Sequence, residues 1–241
     1  MIIKEKEIAG TVMRLETGRV ARQSNGSVMV TYGETTILAA VNAAKEPRED
    51  LNFFPLQVEY REKHYAGGKI PGGFFKREAR PAENEVLTSR VTDRPIRPLF
   101  PKGFKNETQI MITVLQSDGE NMADVLAGVG ASAALMTSSI PWNGPIASVR
   151  VGRVDGQFII NPTRSEIADS DIELVVSGNQ ETVVMVEGES DGATESEILD
   201  GLKQAHEVIK EIIELQNDLL SEMNVVKDEF IIPEPDASLI S

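Results

Sequence analysis

The stretch TQIMITVLQSDGENMADVLAGVGASAALMT, residues 108–137, determines the fold class. Its first nine residues are mostly apolar or β-branched, which predicts a strand over 108–116. Residues 121–137 combine apolar side chains with Gly, Ala and Ser and lack a charged face, which predicts a buried helix that packs closely on its neighbours. A strand followed by a buried helix of this kind is typical of a layered fold that contains both elements.

Strand and helix patterns continue on both sides of this stretch. Alternating residues predict strands over 11–20, 27–33, 35–43, 55–61, 146–153, 157–160, 171–177 and 182–187. A helix is expected from Pro81, with glutamates in its first turn, and Pro95 and Pro98 should end it. A third helix begins at Thr194 with the capping box TESE. Its apolar face is formed by Ile198, Leu202, Ala205, Ile209 and Ile212. The sequence therefore predicts an α+β fold with a C-terminal amphipathic helix.

Composition excludes several kinds of protein. The 241 residues are 41% hydrophobic, enough for a sizeable core, and include no cysteine and only two histidines. Disulfides and thiolate metal sites are therefore excluded, and a histidine metal cluster is disfavoured. The N-terminal MIIKEKE is charged where a signal peptide needs an apolar core, and no apolar run approaches the roughly 20 residues that span a bilayer. We expect a cytoplasmic protein with no membrane partner.

Charge is distributed unevenly along the chain. The formal net charge is −14, yet the segment from Arg61 to Lys105 carries 11 Lys or Arg and 5 Asp or Glu, a net of +6. The remaining residues carry a net of −20. A basic segment in an acidic chain indicates a local anion site, while the acidic remainder would repel polyanions from other faces.

Two glycine motifs do not carry a nucleotide site. GVGASA (128–133) lacks the preceding strand and the acidic residue about twenty positions later that a dinucleotide fingerprint requires. GGKI (67–70) lacks the spacing of a phosphate-binding loop. We interpret the glycines of the first motif as positions where the helix approaches a neighbouring element.

Three arginines lie on one stripe of the helix predicted from Pro81. Arg90, Arg94 and Arg97 are spaced at i, i+4 and i+7, so their guanidinium groups repel one another unless an anion or an acidic partner compensates them. Guanidinium groups suit phosphate oxygens, because they bind them bidentately. Charge patterning alone leaves a phosphate ligand and ion pairing within the protein equally open.

The stretch GGFFKREARP (72–81) presents the same choice. Phe74 and Phe75 beside Lys76, Arg77 and Arg80 form the combination that stacks bases and holds phosphates of single-stranded nucleic acid. Burial of one phenylalanine in the core is the alternative. Local sequence does not decide between them.

The chain resembles the N-terminal part of the bacterial polynucleotide phosphorylase family. The resemblance rests on FFPLQVEYREKHYAGGKIPGGFFKREARP (53–81) and LTSRVTDRPIRPLFPKGF (87–104), and it continues through IPWNGPIASVRVG, IINPT and LVVSG, covering roughly residues 1 to 235 in order. It implies an RNase PH-type core with a β-α fold like the second domain of ribosomal protein S5. Residues 1–145 and 146–222 would be two parts of that core, and 223–241 a linker toward a helical segment.

The resemblance also implies a function, that of a first core in a phosphate-dependent 3'-to-5' exoribonuclease, a polyribonucleotide nucleotidyltransferase acting in mRNA degradation. Family members form homotrimeric rings that thread single-stranded RNA, and they can join proteins of an RNA-degradation complex. By this match the RNA-binding residues are Phe74, Phe75, Lys76, Arg77, Arg80, Arg90, Arg94 and Arg97. Lys76 stands where the family commonly has arginine, so it keeps the charge and loses bidentate geometry.

The resemblance places catalysis in a second core that is absent here. That core uses a serine-rich loop, an Asp followed by a Lys, inorganic phosphate and Mg²⁺. This chain has ENMA (120–123) instead of the serines and Val175 instead of the lysine. Asp171 and Glu173 are expected to be structural or solvent-facing, so we predict no catalytic residue and no metal ligand, and an inactive isolated chain. The alternatives are a catalytically silent binding or assembly subunit of an exosome-type ring and a self-sufficient nuclease that uses Asp171 and Glu173.

Overall fold

A computed structural model describes residues 1–48, 51–74, 77, 78 and 80–230. Its first layer is a six-stranded sheet in the order β1-β2-β3-β4-β6-β5. The strands are β1 (Ile2–Ile8), β2 (Thr11–Thr17), β3 (Gly26–Tyr32), β4 (Thr35–Ala43), β5 (Leu56–Glu62) and β6 (Thr108–Gln116). All neighbours are antiparallel except β5 and β6, which run parallel. The strands predicted from alternation are confirmed, and β5 is an outer strand of this sheet.

The second sheet has the order β10-β9-β7-β8 and is antiparallel throughout. It contains β7 (Ala147–Val154), β8 (Gln157–Ile160), β9 (Ile172–Gly178) and β10 (Val183–Ser190), with the single-turn helix α3 (Arg164–Ile167) between β8 and β9. Numbering the longer helices in chain order gives α1 (Glu83–Ile96), α2 (Asp124–Met136) and α4 (Glu195–Ser221). The predicted α+β class is confirmed.

Helix α2 is the centre of the core, as its composition predicts. All of its residues from Val125 to Met136 are buried, and it packs on β3, β4 and β7. A Cβ added at Gly128 would lie 2.3 Å from Ser148 Oγ, and one added at Gly130 would lie 3.0 Å from Ile37 Cδ1. The interpretation of these glycines as close-approach positions is therefore confirmed.

A buried polar network joins helices α2 and α4. Ser132 Oγ on α2 donates to Gln216 Oε1 on α4 (2.7 Å) and accepts from the Ile146 amide (3.0 Å). Gln216 Nε2 donates to the Ile146 carbonyl (2.8 Å). All of these polar atoms are satisfied, so the network fixes α2, α4 and the start of β7 relative to one another.

Helix α4 begins as the capping box predicts. Glu197 accepts from the Thr194 amide (2.7 Å), while the Thr194 hydroxyl accepts from the Glu197 amide (3.4 Å). The helix buries Gly201, Ala205, Ile209, Ile212, Ile213, Leu215, Gln216 and Leu219. The amphipathic C-terminal helix is confirmed.

Two details of α1 differ from the prediction. The helix begins at Glu83, because Ala82 is still extended (φ −69°, ψ 164°) and Glu85 accepts from its amide (2.6 Å). It also continues through Pro95 to Ile96 and into a 3₁₀ turn at Arg97–Leu99. A proline this close to the helix end costs only one backbone hydrogen bond, so the helix is not broken there.

The first strand and the final segment were not anticipated. β1 pairs with β2 over seven residues, although its sequence is half charged. Residues 224–230, expected to be linker, pack on the core: Lys227 Nζ donates to the carbonyls of Leu135 (2.7 Å) and Ser138 (2.9 Å), and the Phe230 ring lies 5.3 Å from that of Phe104. Burial lowers the pKa of Lys227 to about 8. Within the described part of the chain, no helix combines the length and the apolar character needed to cross a membrane.

Candidate nucleic-acid interface

One stripe of α1 binds the open edge of β5. Residues four apart on the helix, 85, 89, 93 and 97, share this stripe. Three of them bond to the strand backbone: the Glu62 amide donates to Glu85 Oε1 (2.7 Å), the Tyr60 amide donates to Ser89 Oγ (3.0 Å), and Arg97 donates to the Leu56 carbonyl (3.1 Å). These bonds satisfy much of an edge that would otherwise be exposed, and they fix the helix against the sheet.

Arg97 uses its guanidinium group inside the protein. It donates twice to Asp93, at 2.8 and 3.0 Å, and once to the Phe54 carbonyl at 3.2 Å. Its charge also lies over the Phe54 ring, 5.7 Å from the centroid. Of the three predicted arginines, Arg97 is thus the one whose donors serve the fold.

The other two arginines of α1 face solvent. Arg94 forms an ion pair with Glu187 on β10, and both side chains are about half exposed. Arg90 is exposed and has no ion pair with a described residue. Arg90 lines an open groove of about 510 Å³ between α1 and β5, together with Val58 and Pro81. An exposed guanidinium beside an open groove is suited to an anionic ligand.

The loop before α1 is described in part. Phe74 is 94% exposed, which rules out its burial in this core, and Arg77 and Arg80 are exposed without an ion pair to a described residue. Phe75 and Lys76 lie outside the described residues.

The loop is tied back to the end of β5 through Glu78. Lys63 Nζ donates to its carboxylate (2.7 Å), and so does the His64 amide (3.1 Å). The Lys63 bond is the main reason that the pKa of Glu78 lies below its usual range. The loop base is therefore anchored while Phe74 projects outward.

A second groove, of about 710 Å³, lies beside the segment predicted to replace a catalytic loop. It is lined in part by Asn121, Met122, Ala123 and Asp124, and also by Lys69 and Arg164. None of the lining side chains of 121–123 is a nucleophile or an acid.

Three acidic residues, of which Asp124 lines this groove, are held by two buried arginines of β7. Arg150 pairs with both Asp124 and Glu173. Arg153 pairs with Asp171 at 2.7 Å, and this bond lowers the pKa of the Asp171 carboxyl. Since these carboxylates are already compensated by guanidinium groups, they do not fit a magnesium site. Among described residues, no three His, Cys, Asp or Glu side chains form a metal-binding group.

Sequence reasoning missed the acids that organise the arginines. The spacing of four from Asp93 to Arg97 was readable as an ion pair, as was the stripe that includes Ser89. Glu187 carries no such signal, because it lies 93 residues from Arg94 along the chain and meets it only through the packing of α1 on β10.

Comparison with known proteins identifies the family. The sequence model of the 3' exoribonuclease family, domain 1, matches residues 12–141, and that of domain 2 matches residues 144–208. The chain belongs to the 3' exoribonuclease (RNase PH) family. Its relatives include polyribonucleotide nucleotidyltransferases of Thermomicrobium roseum, 49% identical over 99% of this chain and 30% of the relative, and of Sorangium cellulosum, 52% identical over 97% and 31%. The chain spans about a third of the length of these curated relatives.

The fold has a counterpart among solved structures. The crystal structure of rice (Oryza sativa) Rrp46 superposes with a TM-score of 0.70, covering 86% of this chain and 93% of that protein. The two sequences are 14% identical, so the likeness concerns the fold alone. Together with the family match, it confirms the predicted RNase PH-type core.

Proposed function

We propose that this chain is the RNA-binding, ring-forming first core of a phosphate-dependent 3'-to-5' exoribonuclease, acting in RNA and mRNA degradation. The observation that carries the proposal is the surface around the α1 groove. Pro81, at the end of the loop with the exposed Phe74, and the exposed Arg90 line one groove. Aromatic faces stack bases and guanidinium groups bind phosphates, so this surface suits single-stranded RNA.

Within that proposal the eight predicted residues differ in role. Arg77, Arg80 and Arg90 are exposed and supply phosphate contacts, and Phe74 supplies a stacking face. Arg97 positions α1 through its bonds to Asp93 and the strand, so we expect its loss to act through the fold. Arg94 reaches RNA only by leaving Glu187. Phe75 and Lys76 remain predicted contacts.

We place phosphorolysis, in which inorganic phosphate attacks the terminal phosphodiester and releases a nucleoside diphosphate, in a second core. Phosphoryl transfer requires a metal ion that neutralises the charge of the phosphoryl group, and a pocket that binds phosphate. Pairing of Asp171 and Glu173 with arginines supports assigning Mg²⁺ and phosphate binding elsewhere. We further propose a division at residues 145 and 146, a cytoplasmic homotrimer, and partners from an RNA-degradation complex.

Binding to fluorescent oligoadenylate, measured by anisotropy across a salt series, tests the RNA assignment. Arg90→Ala should weaken binding and reduce the slope of log affinity against log salt by about 0.7, the value for one phosphate contact on a single strand. Arg22→Ala, an equal change of charge at an exposed residue between β2 and β3, should leave both unchanged. Equal effects of the two variants would contradict the site.

Incubation of the chain with oligoadenylate, phosphate and Mg²⁺ tests the predicted inactivity. Release of nucleoside diphosphate would overturn it. Absence of both RNA binding and release, with a ring-sized mass by light scattering, would favour the silent assembly subunit.

A further inference from the structure

Among the described residues of the β5 edge, Val58 is the one whose outward N–H and outward C=O both lack a hydrogen bond. In a strand, alternate residues direct their N–H and C=O to the same side. The Leu56 C=O and the N–H groups of Tyr60 and Glu62 are bonded to α1, so the even-numbered residues face the helix. The odd-numbered residues face β6, as the bond from the Thr108 amide to the Pro55 carbonyl shows. Val58 therefore points its N–H and C=O toward α1.

Val58 lies where the α1 stripe leaves a gap. The helix residue in register with it is Asp93, between Ser89 and Arg97, and the Asp93 carboxylate is bonded to Arg97 instead. Among described residues, no side chain bonds to the outward N–H or C=O of Val58. Val58 is half-buried and lines the groove of about 510 Å³. A donor and an acceptor thus stand side by side in an open groove.

The gap is too short for a peptide strand. An added strand pairs with several successive outward residues, but Arg97 occupies Leu56 on one side, and Ser89 and Glu85 occupy the strand on the other. One residue's N–H and C=O match a single planar group that presents an acceptor next to a donor. The Watson–Crick edge of each nucleobase presents such a pair.

Charge indicates which planar group enters. Arg90 lines the same groove and is exposed without an ion pair to a described residue, so the groove suits a ligand with an anionic group next to its planar one. A nucleotide of single-stranded RNA carries both.

We propose that the groove between β5 and α1 is a nucleobase subsite, in which Val58 N–H and C=O bond the base edge while Arg90 binds the adjoining phosphate. The inference rests on the RNA-binding function proposed above. Because all four bases offer a donor beside an acceptor, the subsite would hold RNA with little sequence preference. A processive nuclease requires that tolerance.

A backbone variant tests the donor directly. Val58→Pro removes the outward N–H at an edge strand, where proline is tolerated, and Val58→Ala is its matched control, since it shortens the side chain and keeps the N–H. Hexaadenylate should bind Val58→Pro about three- to tenfold more weakly than Val58→Ala, the effect of one hydrogen bond. An abasic ribose-phosphate hexamer should bind both variants equally, because it offers only phosphates. Circular dichroism checks that both variants fold.

Amide exchange in the unmodified chain gives a second, independent readout. Hexaadenylate should slow hydrogen–deuterium exchange of the Val58 amide, and the abasic hexamer should not. If hexaadenylate binds without protecting this amide, or binds both variants equally, the subsite is wrong while RNA binding stands. If the unmodified chain binds neither oligomer, the proposed function fails and the subsite fails with it.

Discussion

Glu187 is predicted to compete with RNA for Arg94. Its carboxylate on β10 occupies the guanidinium group of Arg94, with side-chain exposures of 49% and 55%. An exposed pair of this kind contributes about 0.2 to 1 kcal/mol. RNA that contacts Arg94 must first break the pair, so Glu187→Gln should raise RNA affinity by about 1.4- to 5-fold, the same free energy expressed as a ratio.

The matched control lies two residues along the same strand. Glu189 is exposed and has no ion pair with a described residue, so Glu189→Gln makes the same change of net charge without releasing Arg94. Anisotropy with oligoadenylate should show a larger gain for Glu187→Gln than for Glu189→Gln at low salt. The difference should vanish near 1 M salt, where the screening length is about 3 Å.

A double-variant cycle isolates the mechanism. In an Arg94→Ala background, Glu187→Gln should give no more gain than Glu189→Gln, because no guanidinium remains to be released. Equal gains from the two glutamine variants in the unmodified background would refute the competition. In that case only the general field of the acidic strand would matter.

Two further predictions concern stability. Hydrogen bonds from Thr194 are the chief reason that the pKa of Glu197 falls to about 2. The ionised carboxylate therefore stabilises the fold fully at pH values above its ordinary pKa near 4.5, and this stabilisation is lost as the pH falls toward 2. Glu197→Gln should therefore lower the Tm at pH 7 by about 2 to 4 °C, with the gap closing in acid. Glu195→Gln, in the same first turn, is the matched control for the loss of one negative charge. Gly128→Ala should destabilise the fold by about 1 to 3 kcal/mol in urea unfolding, because its methyl group meets the buried Ser148; an increase in stability would show that helix propensity outweighs the contact.

Local patterning predicted most elements because most strands and helices bury at least one face in the core. The alternation of β3 and β4 and the small residues of α2 are consequences of burial. Such patterns are visible in the sequence of each segment by itself. Strand β1 was not predicted, because it shows no clear burial pattern. It is an outer strand that pairs only with β2, and Ile8 is its one fully buried residue. The packing of Lys227 and Phe230 on the core was not predicted either, because their partners, on α2 and in an aromatic cluster, are far away in sequence.

The residue types of the candidate site could be predicted from the sequence. Which of these residues bond to the fold and which face solvent could not. Sequence spacing placed three arginines on one stripe, but a stripe does not say which of them pack inward. The stripe that faces inward is the one on which Glu85, Ser89 and Arg97 bond to the edge of β5. That edge is available because β5 is the outermost strand of the sheet. Topology therefore selected Arg97 for the fold.

That selection has a consequence for binding. A free helix that presents arginines would lose conformational freedom on meeting RNA, and that loss opposes binding. Here α1 is already fixed to β5 by backbone bonds, so Arg90 and Arg94 are presented from a rigid support. Their mutual repulsion, a few tenths of a kcal/mol at this spacing, is relieved on one side by Glu187 and is left for a phosphate to relieve at Arg90. Under the proposed function, the bonds from α1 to β5 therefore hold Arg90 and Arg94 in place for an anionic ligand, within a chain whose remaining net charge repels one.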